Sequence, residues 1–266
     1  MDAPLLISVA PNGARRSKLD HPAIPLSASE IAEEAERCAD AGAALQHLHV
    51  RDDDGAHSLS PQKYRQAIEA IERRVGDRLV VQITTEACGI FDIATQMEAV
   101  LAVKPAAASF AVREFIPDAG SEARARDFFA EVRELGTLPQ FIVYEPGEID
   151  RLRSLVSAGV IPFPTPSVLF VIGRYTSGPA AEASSLVQFL AHWGNEEPWT
   201  VCSFGAAELP VAAAAVALGG NVRVGFENNL YRADGTPLAS TAEQVAAVVA
   251  VARLLNRPIG DMRTRR

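Results

Sequence analysis

Cysteine and histidine are both scarce in this chain, with three and five copies among 266 residues. Cys38, Cys88 and Cys202 stand far apart and are odd in number, which excludes a disulfide framework and fits a reducing compartment. Cys88 is read as a buried free thiol. Positive charge is also short: 25 basic residues against 33 acidic ones leave a net charge of −8. That balance excludes a general nucleic-acid footprint and leaves any anionic substrate to particular arginines. No apolar run reaches the roughly 18 residues of a membrane span. The alanine-rich "VAAAAVALGG" at 211–220 is short and reads as a packed helix. The opening "MDAPLLISVAPNGARR" lacks the positively charged start of a signal peptide. With 48% hydrophobic and 22% charged residues, an ordinary soluble globular protein of the cytoplasm is expected, with no nucleic-acid or membrane partner.

What the chain does have is a regular alternation of two periodicities. Strand-like runs fall at 5–10, 45–50, 78–84, 107–112, 139–144, 167–172, 199–204 and 221–226. Helical spacing follows each one, near 29–41, 61–74, 92–103, 122–135, 148–158, 180–193 and 206–218, with a last helix opened by "STAE" at 240–243. "SASE" at 27–30 reads as a capping box, and Ser60-Pro61 as a cap followed by a first-turn proline. Strands separated by helices pair in parallel through crossovers. Eight such units in this length predict one α/β domain over 1–266, a closed (β/α)8 TIM barrel.

In such a barrel the chemistry gathers where strands end and βα loops begin. The ends here are polar: "PNGARR", "HLHVRD", "TTEACG", "VRE", "YEPG", "GRY" and "VRVGFENN". On the second strand, alternation sends His47 and His49 to one face, a ready pair of metal ligands. A catalytic zinc takes three protein ligands and leaves one position open. His21 and His57 read as loop residues and His192 as a helix end. The third ligand is therefore expected to be a carboxylate, best placed at Glu227, with Glu86 and Glu145 as competitors. Arg223 and Glu227 are spaced to share one strand face.

"AGAALQHLHVRDDDG", "VQITTEACG" and "VRVGFENN" resemble the β-keto acid cleavage enzymes, and the resemblance runs in order along nearly the whole chain. It implies zinc on His47, His49 and Glu227, with Arg223 and Thr84 contacting the reacting groups. It also implies the reaction of a β-keto acid with acetyl-CoA to give acetoacetate and a new acyl-CoA, and a homo-oligomer, expected as a tetramer. A guanidinium such as Arg223 suits the oxyanions of that chemistry.

Two positions depart from the family's best-known pattern. Asn228 stands where a proton-abstracting aspartate follows the metal-binding glutamate, and an amide cannot take a proton at neutral pH. Glu86 is the candidate for that role, and Asn228 is left to orient another group or the substrate. The first loop carries Arg15 in place of a carboxylate suited to an ammonium group, so a substrate with an anionic or polar far end is expected. Asn12 and Thr85, on the same two loops, are further expected substrate contacts. Two rival readings are a zinc-dependent barrel hydrolase working without CoA and a non-catalytic binding barrel.

Overall fold

Short runs rich in valine, isoleucine and alanine form the strands, and because both faces of each are covered they read as continuous apolar stretches. The computed structural model describes residues 3–174, 181–194 and 197–262. Its strands are β1 (Ile7–Val9), β2 (Leu45–Leu48), β3 (Val80–Ile83), β4 (Ala107–Ala111), β5 (Leu138–Val143), β6 (Ser167–Ile172), β7 (Trp199–Ser203) and β8 (Asn221–Val224). They pair in parallel and in chain order, and β1 closes the ring by pairing with β8 in the register Ile7–Val222, Ser8–Arg223 and Val9–Val224. The expected TIM barrel is the observed fold.

The helices on its outside are α1 (Ala28–Ala41), α2 (Pro61–Val75), α3 (Ile93–Val103), α4 (Glu122–Glu134), α5 (Gly147–Ser157), α6 (Ser185–Trp193), α7 (Glu208–Ala217) and α8 (Thr241–Leu254). The start of the helix expected from residue 180 lies partly outside the described residues, and α6 begins at Ser185. The box at α1 is complete: Ser27 Oγ accepts from Glu30 N and Glu30 Oε2 accepts from Ser27 N. At α8 only half of it forms. Ser240 Oγ accepts from Glu243 N, but the Glu243 carboxylate turns to Ala239 N and Arg232 instead. Buried Glu34 on α1 accepts from Ala242 N at 3.1 Å and so ties α1 to the first turn of α8.

Only 6% of the chain is aromatic, and the structure concentrates much of it. Phe110, Phe115, Phe128, Phe129 and Phe141 pack edge to face or tilted between β4, β5 and α4, with neighbouring ring centroids 5.1–6.1 Å apart. Inside the barrel a smaller apolar cluster of Leu169, Val171 and Cys202 is joined by Ile142, Tyr144 and Phe204. Two pieces were not expected: a hairpin pairing Val50–Arg51 with His57–Ser58, and a one-turn helix at Val112–Phe115 directly after β4. Asp54-Gly55 is the turn signal for the hairpin; Gly55 takes a φ of 82° and Asp52 Oδ1 accepts from Asp54 N and Ala56 N.

Candidate functional site

β2 ends at Leu48, so His49 lies just past the strand, yet both imidazoles turn to the same point. Their Nε2 atoms are 3.1 Å apart, and Glu227 Oε2 lies 3.5 Å from His49 Nε2 and 4.0 Å from His47 Nε2. All three side chains are buried. Among the described residues they form the one group of histidine, cysteine or carboxylate side chains close enough to hold a metal ion. Glu227 Oε2 accepts no hydrogen bond from the chain. Two imidazole nitrogens and an oxygen of this kind, converging without protons enough to link them, are a donor set that fits zinc.

Neighbours fix each donor. His47 Nδ1 bonds Gln82 Oε1 at 2.8 Å. The backbone of His49 is held by Asn12, whose Nδ2 donates to His49 O at 3.0 Å and Pro25 O at 3.1 Å. Glu227 sits in the turn after β8 rather than on the strand itself, which corrects the expectation of a shared strand face with Arg223. The pairing survives because the turn folds back, and Arg223 Nη2 donates to Glu227 Oε1 at 3.2 Å. Gly225 permits that path: its φ is 149°, and a Cβ there would lie 2.2 Å from Ala10 O. Glu227 N then donates to Ala10 O at 3.0 Å.

Two further side chains grip this turn. From the first loop, Arg16 donates to Glu227 O at 3.2 Å and Asn228 O at 3.4 Å. From behind, buried Glu208 at the start of α7 accepts from Gly225 N, Asn229 Nδ2 and Gln244 Nε2. The first loop is in turn held by buried Arg51, which donates to the carbonyls of Gly13 and Arg16. In the local sequence His-x-His-x-Arg, the arginine is thus a brace.

The electrostatics keep the donors ready for a cation. Burial and the Arg223 guanidinium hold His47 well below the usual imidazole range, so it is neutral at pH 7. Burial alone would raise the Glu227 carboxyl, but Arg223 and the two histidines outweigh it and hold the group well below the ordinary range. Glu227 is a carboxylate at pH 7.

Beside this cluster lies a cavity of about 300 Å³, lined on one side by Arg15, His47, Thr84, Thr85, Glu86, Arg223 and Glu227. Ile142, Tyr144, Val171 and Phe204 line the other. Thr84 Oγ1 accepts from Glu86 N at 3.0 Å, and Thr85 Oγ1 donates to Ser109 O at 2.7 Å. Arg15 is half exposed and its guanidinium lies 3.7 Å from Glu86 Oε1. Cys88 is half-buried at the cavity with its Sγ 3.4 Å from Glu86, and burial and Glu86 push its thiol up to about 12. Asn12 and Asn228 do not line the cavity; both are fully buried, and neither atom of the Asn228 amide finds a partner in the chain. Glu145, a competitor for the third ligand, instead pairs with Arg174 at 2.9 Å on the surface.

Four further residues of this region were assigned no role from the sequence, although two of them, Arg113 and Glu114, lie in the polar strand end "VRE". Gln82 was legible as an amide inside an apolar strand beside His47. His57 arrives through the unexpected hairpin: its ring lies 5.5 Å from that of His49 and its Nε2 donates to Glu86 O at 2.9 Å. Burial and His49 push His57 down to about 3. Glu114 and Arg113 come from the one-turn helix after β4. Burial raises Glu114, whose Oε2 accepts from Gln96 and Ala87 N, and the Arg113 guanidinium lies 3.6 Å from the centre of the Tyr144 ring.

A parallel barrel with clustered metal-type donors and a charged cavity at the mouth of its strands defines a barrel enzyme with a candidate metal centre. The comparisons refine that class, since the family model for beta-keto acid cleavage enzymes matches residues 4–266. The chain belongs to the β-keto acid cleavage enzyme family. It is 34% identical over 258 residues to the 3-keto-5-aminohexanoate cleavage enzyme of Fusobacterium nucleatum, covering 96% of this chain and 93% of that one. It is 27% identical to the 3-oxoadipate:acetyl-CoA acetyltransferase of Cupriavidus necator, covering 98% and 93%. Among solved structures it is similar in fold to a ternary complex of ObcA with a C4-CoA adduct and oxalate, with a TM-score of 0.71 at 19% identity. That match covers 90% of this chain, which spans 65% of the ObcA chain.

Proposed function

We propose that the chain, working as one barrel domain over 1–266, uses zinc held by His47, His49 and Glu227 to react a β-keto acid with acetyl-CoA, yielding acetoacetate and a new acyl-CoA. The observation that carries this reading is the convergence of the three buried donors beside Arg223 at the cavity. Bound there, zinc supplies positive charge that favours loss of a proton from the carbon between the two carbonyls of the β-keto acid. Glu86 is the group that takes this proton, since Asn228 is an amide. The substrate carbon then forms a bond to the thioester carbonyl carbon as the C–S bond of acetyl-CoA breaks and releases the CoA thiolate. The thiolate adds to the substrate's keto carbon, whose bond to the α-carbon breaks to give the new acyl-CoA. The α-carbon takes the proton back from Glu86 to give acetoacetate. Arg223 offsets the negative charge that develops on oxygen, and Thr84 and Thr85 orient the substrate from the loop after β3. Asn12 acts on the substrate only through His49. Asn228 acts only through the turn that carries Glu227.

The substrate's far end is read from Arg15. Its loose pairing with Glu86 leaves the guanidinium half exposed and able to turn to a second carboxylate. A well-formed contact of that kind contributes about 1.5–3 kcal/mol, roughly a ten- to hundredfold preference. Dicarboxylic substrates such as 3-oxoglutarate or 3-oxoadipate are therefore favoured over 3-keto-5-aminohexanoate. Identity is higher to the 3-keto-5-aminohexanoate enzyme, 34%, than to the C. necator 3-oxoadipate enzyme, 27%, so this direction rests on Arg15 alone. The reading extends to a homo-oligomer, expected as a tetramer, which rests on family resemblance, and to the cytoplasm, which rests on composition and cysteine usage.

The test is a panel of β-keto acids with acetyl-CoA, with acetoacetate and the acyl-CoA identified by mass. Arg15→Glu should move preference toward the amino substrate without changing zinc affinity. Hydrolysis of the keto acid with no thioester product would overturn the reaction. Equal turnover of amino and dicarboxylic substrates would overturn the role of Arg15.

A further inference from the structure

Gln82 is a buried amide in the middle of β3, flanked by Val80, Val81 and Ile83. An amide in such a place costs free energy unless its donors and acceptor are used. The register pairs it with His47 on the neighbouring strand, so the two side chains emerge at one level on the same side of the sheet. Its hydrogen bonds run in one direction. Ser167 Oγ accepts from Gln140 Nε2 at 3.5 Å, and Gln140 Oε1 accepts from Gln82 Nε2 at 3.3 Å. That leaves Gln82 Oε1 facing His47 Nδ1 at 2.8 Å, as an acceptor. At the level of Gln82 the intervening strand β4 carries only Ala107, which leaves room for the two amides to meet.

We propose that Gln82 is a positioning residue for the metal centre, holding the proton of His47 on Nδ1 so that the Nε2 lone pair faces the cation. The inference rests on the reading of His47 as a ligand. His49 provides the contrast, because its Nδ1 has no hydrogen-bond partner within the chain. One ligand is therefore oriented by a directed row of amides and the other by its backbone and packing. The partner of His47 is a neutral amide, so the pair brings no net charge to the site, where a carboxylate–histidine pair would bring one negative charge.

The experiment strips metal from the whole protein and titrates zinc against a chromophoric chelator. In parallel, ¹⁵N NMR of the metal-free protein reads the tautomer of each histidine. Wild type should bind zinc with His47 carrying its proton on Nδ1. Gln82→Leu should bind roughly ten- to hundredfold more weakly and lose the fixed tautomer. Gln82→Glu keeps the acceptor for His47 but has no donor for Gln140, so it should bind zinc at least as tightly as wild type. A role confined to packing predicts that the leucine variant, close in volume, binds zinc like wild type and leaves the His47 tautomer unchanged. That result overturns the proposal, as does a wild-type His47 protonated on Nε2. If Gln82→Leu does not fold, the wild-type tautomer and the glutamate variant still decide. Undiminished zinc binding in His47→Ala would instead overturn the ligand reading itself.

Discussion

The two walls of the cavity are built on different principles. On the side of β1, β2, β3 and β8 the wall is charged, and almost every side chain is set by a specific partner. Arg223 holds Glu227, Gln82 holds His47, and Thr84 holds the backbone of Glu86. On the side of β5, β6 and β7 the wall is mainly apolar: Ile142 and Val171 are set by volume and contact, Phe204 N donates to Ile172 O, and Tyr144 carries the Arg113 guanidinium over its ring. Charge placed on the first wall is stabilised by neighbours that cannot relax away, as catalysis of charge development requires. The second wall excludes water and shapes the substrate's carbon skeleton. A single substitution should therefore act differently on the two sides: on chemistry and metal at the first, on fit and stability at the second.

The largest expected effect is on the first wall. His49→Ala removes one of three donors and should release most of the zinc, with turnover falling on the order of 10³-fold or more. Metal content by elemental analysis and steady-state rates check this. Full zinc occupancy in the His47→Ala/His49→Ala double variant would refute the assignment of both ligands. Next is Glu86→Gln, which should lower turnover by about 10²–10⁴-fold. It should also abolish exchange of the substrate's α-hydrogens in deuterated water while zinc stays bound. Unchanged exchange would pass the proton to another carboxyl of the cavity, with Glu114 next in line.

Val171→Thr probes the second wall. The shape is nearly kept, but a hydroxyl enters a buried apolar surface, at a cost of about 1–3 kcal/mol of stability when it finds no partner. Denaturant unfolding should show that loss, and KM should rise while zinc affinity stays the same. A fall in zinc affinity would mean that the walls are coupled, and the comparison would break.

How much of this was legible in the sequence also divides along the two walls. The strands were readable because burial on both faces makes each a short apolar run, and the donors stood out as polar residues at their ends. Periodicity and the scarcity of histidine paired His47 with His49, whereas Glu227 was one of three candidate carboxylates until the family resemblance singled it out. The brace residues were harder. Arg16 and Glu208 act on the backbone of the turn that carries Glu227, from positions more than 200 and about 20 residues away. No local pattern announces a contact made by chain closure. His57 was hidden by a hairpin whose Asp54-Gly55 turn was visible but whose consequence, a third imidazole beside His49, was not. The apolar wall carries no motif, because Ile142 and Val171 differ from other strand residues only in facing inward.

Behind the charged wall, at Glu208, the expected effect is one of pH dependence. Burial outweighs its three N–H donors and pushes this carboxyl up to about 8, against 4.5 for an ordinary glutamate. Between those values the folded chain keeps a proton that the unfolded chain releases. The stability contributed by the neutral acid is therefore complete below pH 4.5 and is lost as pH rises toward 8, at up to about 1.4 kcal/mol per pH unit. Glu208→Gln removes that slope. The amide is tolerated because Gln244 Oε1 has no partner in the chain and can turn to accept the new N–H, while the amide oxygen keeps Gly225 N. Unfolding measured from pH 5 to 8.5 should show wild type losing stability faster than the variant, with the two diverging most at the alkaline end. Parallel curves would mean that Glu208 is ionised throughout. The turn carrying Glu227 would then be held by a buried carboxylate, and the charged wall would extend one layer deeper than the cavity.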